Sequence, residues 1–133
     1  MPKQHVQAQP LIAVRDVRRS TLWYGTMFGL THTVSVHDDL YQRMMDGKRM
    51  VLQLHAWDEE DHPNLTNREK APVGHGVLIW FQVADVGEVA QHARQFGSKI
   101  LHGPAVNENS GAMEVWVEDP DGYVVVAASA DGK

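Results

Sequence analysis

The chain writes one phrase twice. Val14-Arg15-Asp16-Val17 returns as Val83-Ala84-Asp85-Val86, 69 positions later, and each copy runs on through a segment of helical length to Phe28-Gly29 or Phe96-Gly97. A third pair, DGKRMVLQL from Asp46 and DGYVVVAAS from Asp121, sets an Asp-Gly turn ahead of a strand-like run, now 75 positions apart. Self-similarity of this kind restricts a fold more than composition does, because repeated units must bury against each other what neither buries alone.

Each copy has the same internal order. An apolar strand opens it, at 11–14 and again at 76–83. Asp16 or Asp85 then stands where a helix N-cap is wanted. In the second copy Val86, Val89, Ala90, Ala93 and Phe96 recur at helical spacing, and Leu22, Trp23, Met27 and Phe28 match them in the first. Ser20 and Thr21 read as residues that begin and cap the first helix, and Tyr24 as one that packs on or rims the sheet. Gly29 and Gly97 occupy the place of a left-handed C-cap. Three strands follow, expected at 31–37, 41–45 and 49–56, and then at 98–101, 112–118 and 123–128. The expected class is α+β: a strand–helix–three-strand module at 9–56, a polar linker with two prolines at 57–74, and a second module at 75–129, together one domain. A sheet covered by a helix on one face leaves the other face bare. Two copies can turn those bare faces toward each other and enclose a cleft.

Composition sets limits on function. Apolar residues make up 43% of 133, enough for a core, and the net charge of −5 argues against a nucleic-acid surface. There is no cysteine, so thiolate nucleophiles, disulfides and zinc–sulfur sites are excluded. No apolar run approaches the ~20 residues that cross a bilayer. The opening MPKQHVQAQP lacks the apolar segment of a signal peptide, so a cytoplasmic protein with no membrane partner is expected. The acidic WDEEDH reads as a solvated loop. Asn64-Leu65-Thr66 is a glycosylation sequon without meaning in that setting.

AVRDVRRSTLWYGTMFGL, VADVGEVAQHARQFG and VEDPDGYVVVAAS resemble, in order, the opening, the second helix and the final hairpin of the glyoxalase, bleomycin-resistance and extradiol-dioxygenase superfamily, the vicinal oxygen chelate proteins. The resemblance spans about Gln9 to Ala128. It implies two βαβββ modules forming a cleft, a homodimer and, in the enzymes, one divalent metal held by four side chains. The positions that match those ligands here are Gln9, Gln53, Leu78 and Val126, where the last two replace a histidine and a glutamate. Leucine and valine donate nothing to a metal, so the resemblance points to a metal-free branch with no cofactor. A register slip aided by a bulge could bring His75 to the place of Leu78. Without one, His75 is an exposed residue at a strand entry. The histidines at 5, 32, 37, 55, 62, 92 and 102 show no metal-binding spacing.

If the matching positions face the cleft, strand alternation supplies its lining. Leu78, Trp80 and Gln82 fall together, as do Val124, Val126 and Ala128; Gln53, His55 and Val51; and Gln9, Leu11 and Ala13. In AMEVWVE, Glu114 and Trp116 share that face, with Glu118 near the rim and Met113, Val115 and Val117 opposite. Such a lining suits a small organic ligand with planar rings, and Glu114 beside tryptophans favours a cation. The leading expectation is therefore metal-free binding or sequestration in the manner of bleomycin-resistance proteins. The alternative is a metal-dependent lyase, isomerase or dioxygenase of the same superfamily. A metal-free enzyme using Glu114 or His55 as base, and a purely structural dimer with Trp80 and Trp116 filling a collapsed core, complete the set. No nucleophile elbow or phosphate loop is present.

Overall fold

The computed structural model describes residues 7–34, 39–57, 65, 72–75 and 77–130. The first module contains β1 (Leu11–Val14), α1 (Val17–Phe28), β2 (Thr31–His32), β3 (Tyr41–Asp46) and β4 (Arg49–Ala56). The second contains β5 (Leu78–Gln82), α2 (Val86–Phe96), β6 (Ile100–Val106), β7 (Met113–Glu118) and β8 (Val124–Ala128). Each builds a four-stranded mixed sheet of the same topology, β1-β4-β3-β2 and β5-β8-β7-β6. The first strand of each module pairs parallel to the last, and the remaining pairs are antiparallel. The fold is α+β.

The repeated landmarks act as helix stops and starts. Asp16 and Asp85 have nearly the same backbone, φ −139° and −137°, and each side chain accepts from the backbone N–H three residues on. Gly29 and Gly97 end the helices in the left-handed region. Helix α1 buries Val17, Ser20, Trp23, Tyr24 and Met27, and α2 buries Val86, Val89, Ala90 and Ala93. These stripes cover Ile12, Val14, Met44, Leu52 and Leu54 in one sheet and Ile79, Val115, Val117, Val125 and Ala127 in the other, forming one continuous core.

Several local expectations are corrected. Ser20 and Thr21 lie inside α1 and do not cap it: the Thr21 hydroxyl bonds back to the Val17 carbonyl at 2.7 Å, and Ser20 is buried. Leu22 and Phe96 are exposed, because the helix stripe that faces the core is narrower than the set of apolar residues. The sixth strand runs over 100–106, not 98–101. Gly103 and Pro104 sit within this edge strand, whose pairing to β7 is broken by two register shifts, where Pro is tolerated. Strand β2 ends at His32. The expected extension does not continue through residues 33 and 34, which are not strand. Residues 35–37, most of the linker, and His5, His37 and His62 lie outside the described residues.

The modules meet along a seam. Trp23 packs edge-on against Tyr24 with centroids 4.7 Å apart, and Phe28 does the same to Phe81 across the junction, also at 4.7 Å. The Trp23 indole donates to Ser98 Oγ at 2.8 Å. Polar contacts converge on the turn Asp119-Pro120-Asp121-Gly122. The Tyr24 hydroxyl donates to Asp119 Oδ2 at 2.8 Å, and Asp119 Oδ1 accepts from the backbone of Asp121 and Tyr123. Arg15 donates its backbone N–H and its Nε to Asp121 Oδ1, and the Tyr123 hydroxyl reaches the Ala13 carbonyl at 2.9 Å. Burial raises Asp119 above the ordinary aspartate range, against the lowering effect of these donors. Burial, then the Asp119 charge, pushes Tyr24 well up and Tyr123 up to about 12.

Candidate functional site

Sheet register shows which positions of the two modules correspond. In the first, Leu11 pairs with Gln53 and Val14 with Ala56. In the second, Trp80 pairs with Val126 and Gln82 with Ala128. Matching Val14 to Val83 therefore places Gln9 opposite Leu78, and Gln53 opposite Val126, in the internal repeat. Strand β5 pairs with β8 without a register shift from Leu78 to Gln82.

Strand alternation separates helix-facing residues from those on the bare face. In β5 the core takes Ile79 and Phe81, while Leu78, Trp80 and Gln82 are exposed. Trp80, Val126, Trp116 and His102 form one row across all four strands of the second sheet. Trp80 is 49% exposed, whereas Val126 on the central strand has no exposed surface. The ring of His102 meets Trp116 edge-on at 6.2 Å. Val124, at the end of β8, is partly buried.

A cleft of about 1010 Å³ lies between the edge strands β1 and β5. Leu11, Ala13, Val51, Trp57, His75, Leu78, Trp80 and Gln82 are among the residues that line it. Of the ten lining residues expected from sequence, the cleft wall holds Leu78, Trp80 and Gln82. Gln9, Gln53 and His55, like Glu114, Trp116, Val124 and Val126, are not part of it. Trp57 and His75 join it from the linker and the strand entry, where no periodic pattern marks them.

Polar groups on the bare faces are largely engaged. Glu114 is 4% exposed; its Oε1 accepts from the Trp116 indole at 3.0 Å and its Oε2 from Asn107 Nδ2 at 2.9 Å. The carboxylate thus fixes the Trp116 ring. In the first sheet, Gln53 Nε2 donates to the Gln9 carbonyl at 2.9 Å, and Gln53 Oε1 accepts from the Tyr41 hydroxyl at 2.5 Å. Arg43 Nε donates to that hydroxyl at 3.0 Å. His55 Nδ1 lies 2.6 Å from the Ala56 carbonyl, which makes it the protonated nitrogen. Among the described residues no three His, Asp or Glu side chains come together as a metal would require.

A family model, Glyoxalase/Bleomycin resistance protein/Dioxygenase superfamily, matches residues 4–127. The chain belongs to this superfamily. Solved structures of the same fold include a superfamily enzyme from Burkholderia phytofirmans PsJN, with TM-score 0.75, 18% identity, and coverage of 92% of this chain and 96% of that one. A lactoylglutathione lyase from Agrobacterium tumefaciens gives TM-score 0.69 at 18% identity, covering 97% of this chain and 96% of that one. An integron cassette protein from V. cholerae gives 0.70 at 18% identity, covering 97% and 98%. No curated protein matches the chain significantly. Against the superfamily's metal site, the donor set here does not fit. Two of the four positions are hydrocarbon, and the amide of a third is tied to Tyr41 and to the chain itself. Divalent ions draw their affinity from imidazole, thiolate and carboxylate donors, which these positions lack.

Proposed function

We propose that this superfamily member binds and sequesters a small organic molecule with a planar ring system, without a metal and without chemical turnover. The observation that carries the reading is the register equivalence of Gln9/Gln53 with Leu78/Val126. It puts side chains with no lone pair at half of the ligand positions, and Val126 is fully enclosed there. The half-exposed Trp80 and Leu78 in the cleft wall supply apolar surface for a flat ligand. The volume, about 1010 Å³, is at the upper end of the usual range for small-molecule sites. Glu114 is left out of this reading, since it is buried and lies outside the cleft wall. The expected homodimer belongs to this proposal as well.

Metal loading tests the reading. Protein exposed to zinc, nickel, manganese or ferrous iron and then desalted is expected to hold well under one equivalent. The double variant Leu78→His with Val126→Glu is expected to hold much more than either single change. About one firmly held metal per unmodified chain would refute the proposal. Analytical ultracentrifugation tests the dimer, for which a mass near 14.9 kDa at micromolar concentration is the refuting result.

A further inference from the structure

We propose that Arg43 is the docking point for an anionic group of the ligand, so that the ligand is a planar organic acid. This rests on the binding reading above and names the chemical class that the site accepts.

The argument starts with the row Leu11–Gln53–Arg43 across β1, β4 and β3. Paired residues on neighbouring strands lie about 4.5–5.5 Å apart. Arg43 therefore stands beside the position where the superfamily places a metal ligand, and two strands from the Leu11 wall of the cleft. Its side chain is held in place. Nε donates to the Tyr41 hydroxyl, and the guanidinium carbon lies 5.7 Å from the centre of the Tyr41 ring. That hydroxyl donates to Gln53, which donates to the Gln9 carbonyl. The three hydrogen bonds run head to tail, each donor facing away from Arg43, and such chains strengthen one another.

What this chain leaves unused is mostly donors. The two terminal nitrogens of Arg43 keep four N–H donors, and Gln53 Nε2 keeps one. The Gln53 oxygen already accepts from the Tyr41 hydroxyl, which itself accepts from Arg43, so each of these oxygens keeps a single acceptor position. Arg43 is exposed, and no carboxylate among the described residues pairs with it. A planar fork of donors, pre-oriented and without a counter-ion, matches a carboxylate in bidentate geometry. The positive charge that a metal would bring to this face is thus carried by a guanidinium on the neighbouring strand.

Three probes of one shape separate the possibilities: 2-naphthoate, 2-naphthamide and 2-naphthylmethylammonium. Each is titrated into full-length protein by calorimetry and by tryptophan quenching. The anion is expected to bind at least tenfold more tightly than the amide, and the cation more weakly than either. Arg43→Met is expected to abolish the preference for naphthoate over naphthamide. Tyr41→Phe is expected to reduce the preference for the anion about threefold, because the guanidinium loses its anchor. Equal binding of naphthoate and naphthamide, or a preference that survives Arg43→Met, overturns the role of Arg43 and leaves the binding reading standing. Failure of all three probes to bind overturns both.

Discussion

Replacing Tyr24 with phenylalanine should destabilise the protein, and by more at neutral pH than in acid. Among the described residues the hydroxyl removed is the only side-chain donor to Asp119 Oδ2, at 2.8 Å, in a junction where Tyr24 has no exposed surface and Asp119 only 4%. A hydrogen bond to a charged group contributes about 1.5–3 kcal/mol, against about 0.5–1.5 for a neutral pair. Burial already raises Asp119, and the Tyr24 hydrogen bond is the leading influence that lowers it, so Tyr24→Phe lifts the folded value further. A carboxyl raised on folding contributes stability that is complete below its unfolded value and lost as pH climbs through the folded one. The variant therefore suffers most where Asp119 must ionise. The expected cost is about 2–3 kcal/mol at pH 7 and about 1 kcal/mol at pH 4. Urea denaturation at the two pH values, followed by tryptophan fluorescence, measures it. In an Asp119→Asn background the pH difference should vanish. An equal cost at both pH values, or a larger one in acid, would refute the reasoning.

Two further outcomes follow from the backbone. At Gly103, φ is +83° and an added Cβ would collide with the Glu114 carbonyl, so Gly103→Ala should cost about 2–4 kcal/mol by urea denaturation. Removing either helix cap, Asp16→Ala or Asp85→Ala, should cost about 1 kcal/mol, with similar values expected from the matching geometry of the two sites.

The repeat was readable because its landmarks are local. A cap aspartate and a terminal glycine act within one helical turn, and both show in any single copy. The facing of β5 was also accessible, since Leu78, Trp80 and Gln82 alternate cleanly with core residues. Contacts that join distant parts of the chain left no such trace. The separation of 106 positions from Arg15 to Asp121 carries no periodic signal, and the DPDG turn read only as a turn although it anchors the seam. The Arg43–Tyr41–Gln53 chain was hidden for the same reason: it needs the register of β3 on β4, which side-chain pattern alone does not fix to one residue. Glu114 shows in the sequence as a neighbour of Trp116, but its capture by Trp116 and Asn107 depends on rotamers. The expected end of the sixth strand at 101 fell short because Gly103 and Pro104 continue it as an irregularly paired edge.

Phe81 and Tyr123 belong at once to the seam and to the wall of the cleft. This double membership divides the wall into two kinds of position. A substitution that reshapes the cavity at Phe81 or Tyr123 also loosens the joint between the halves, so a new ligand preference gained there is accompanied by lost stability. Leu11, Leu78, Trp80 and Gln82 touch the same space from exposed sites and carry none of that burden. Variation in what the protein recognises should therefore accumulate at those four, and a library confined to them would explore new ligands while the scaffold stays intact.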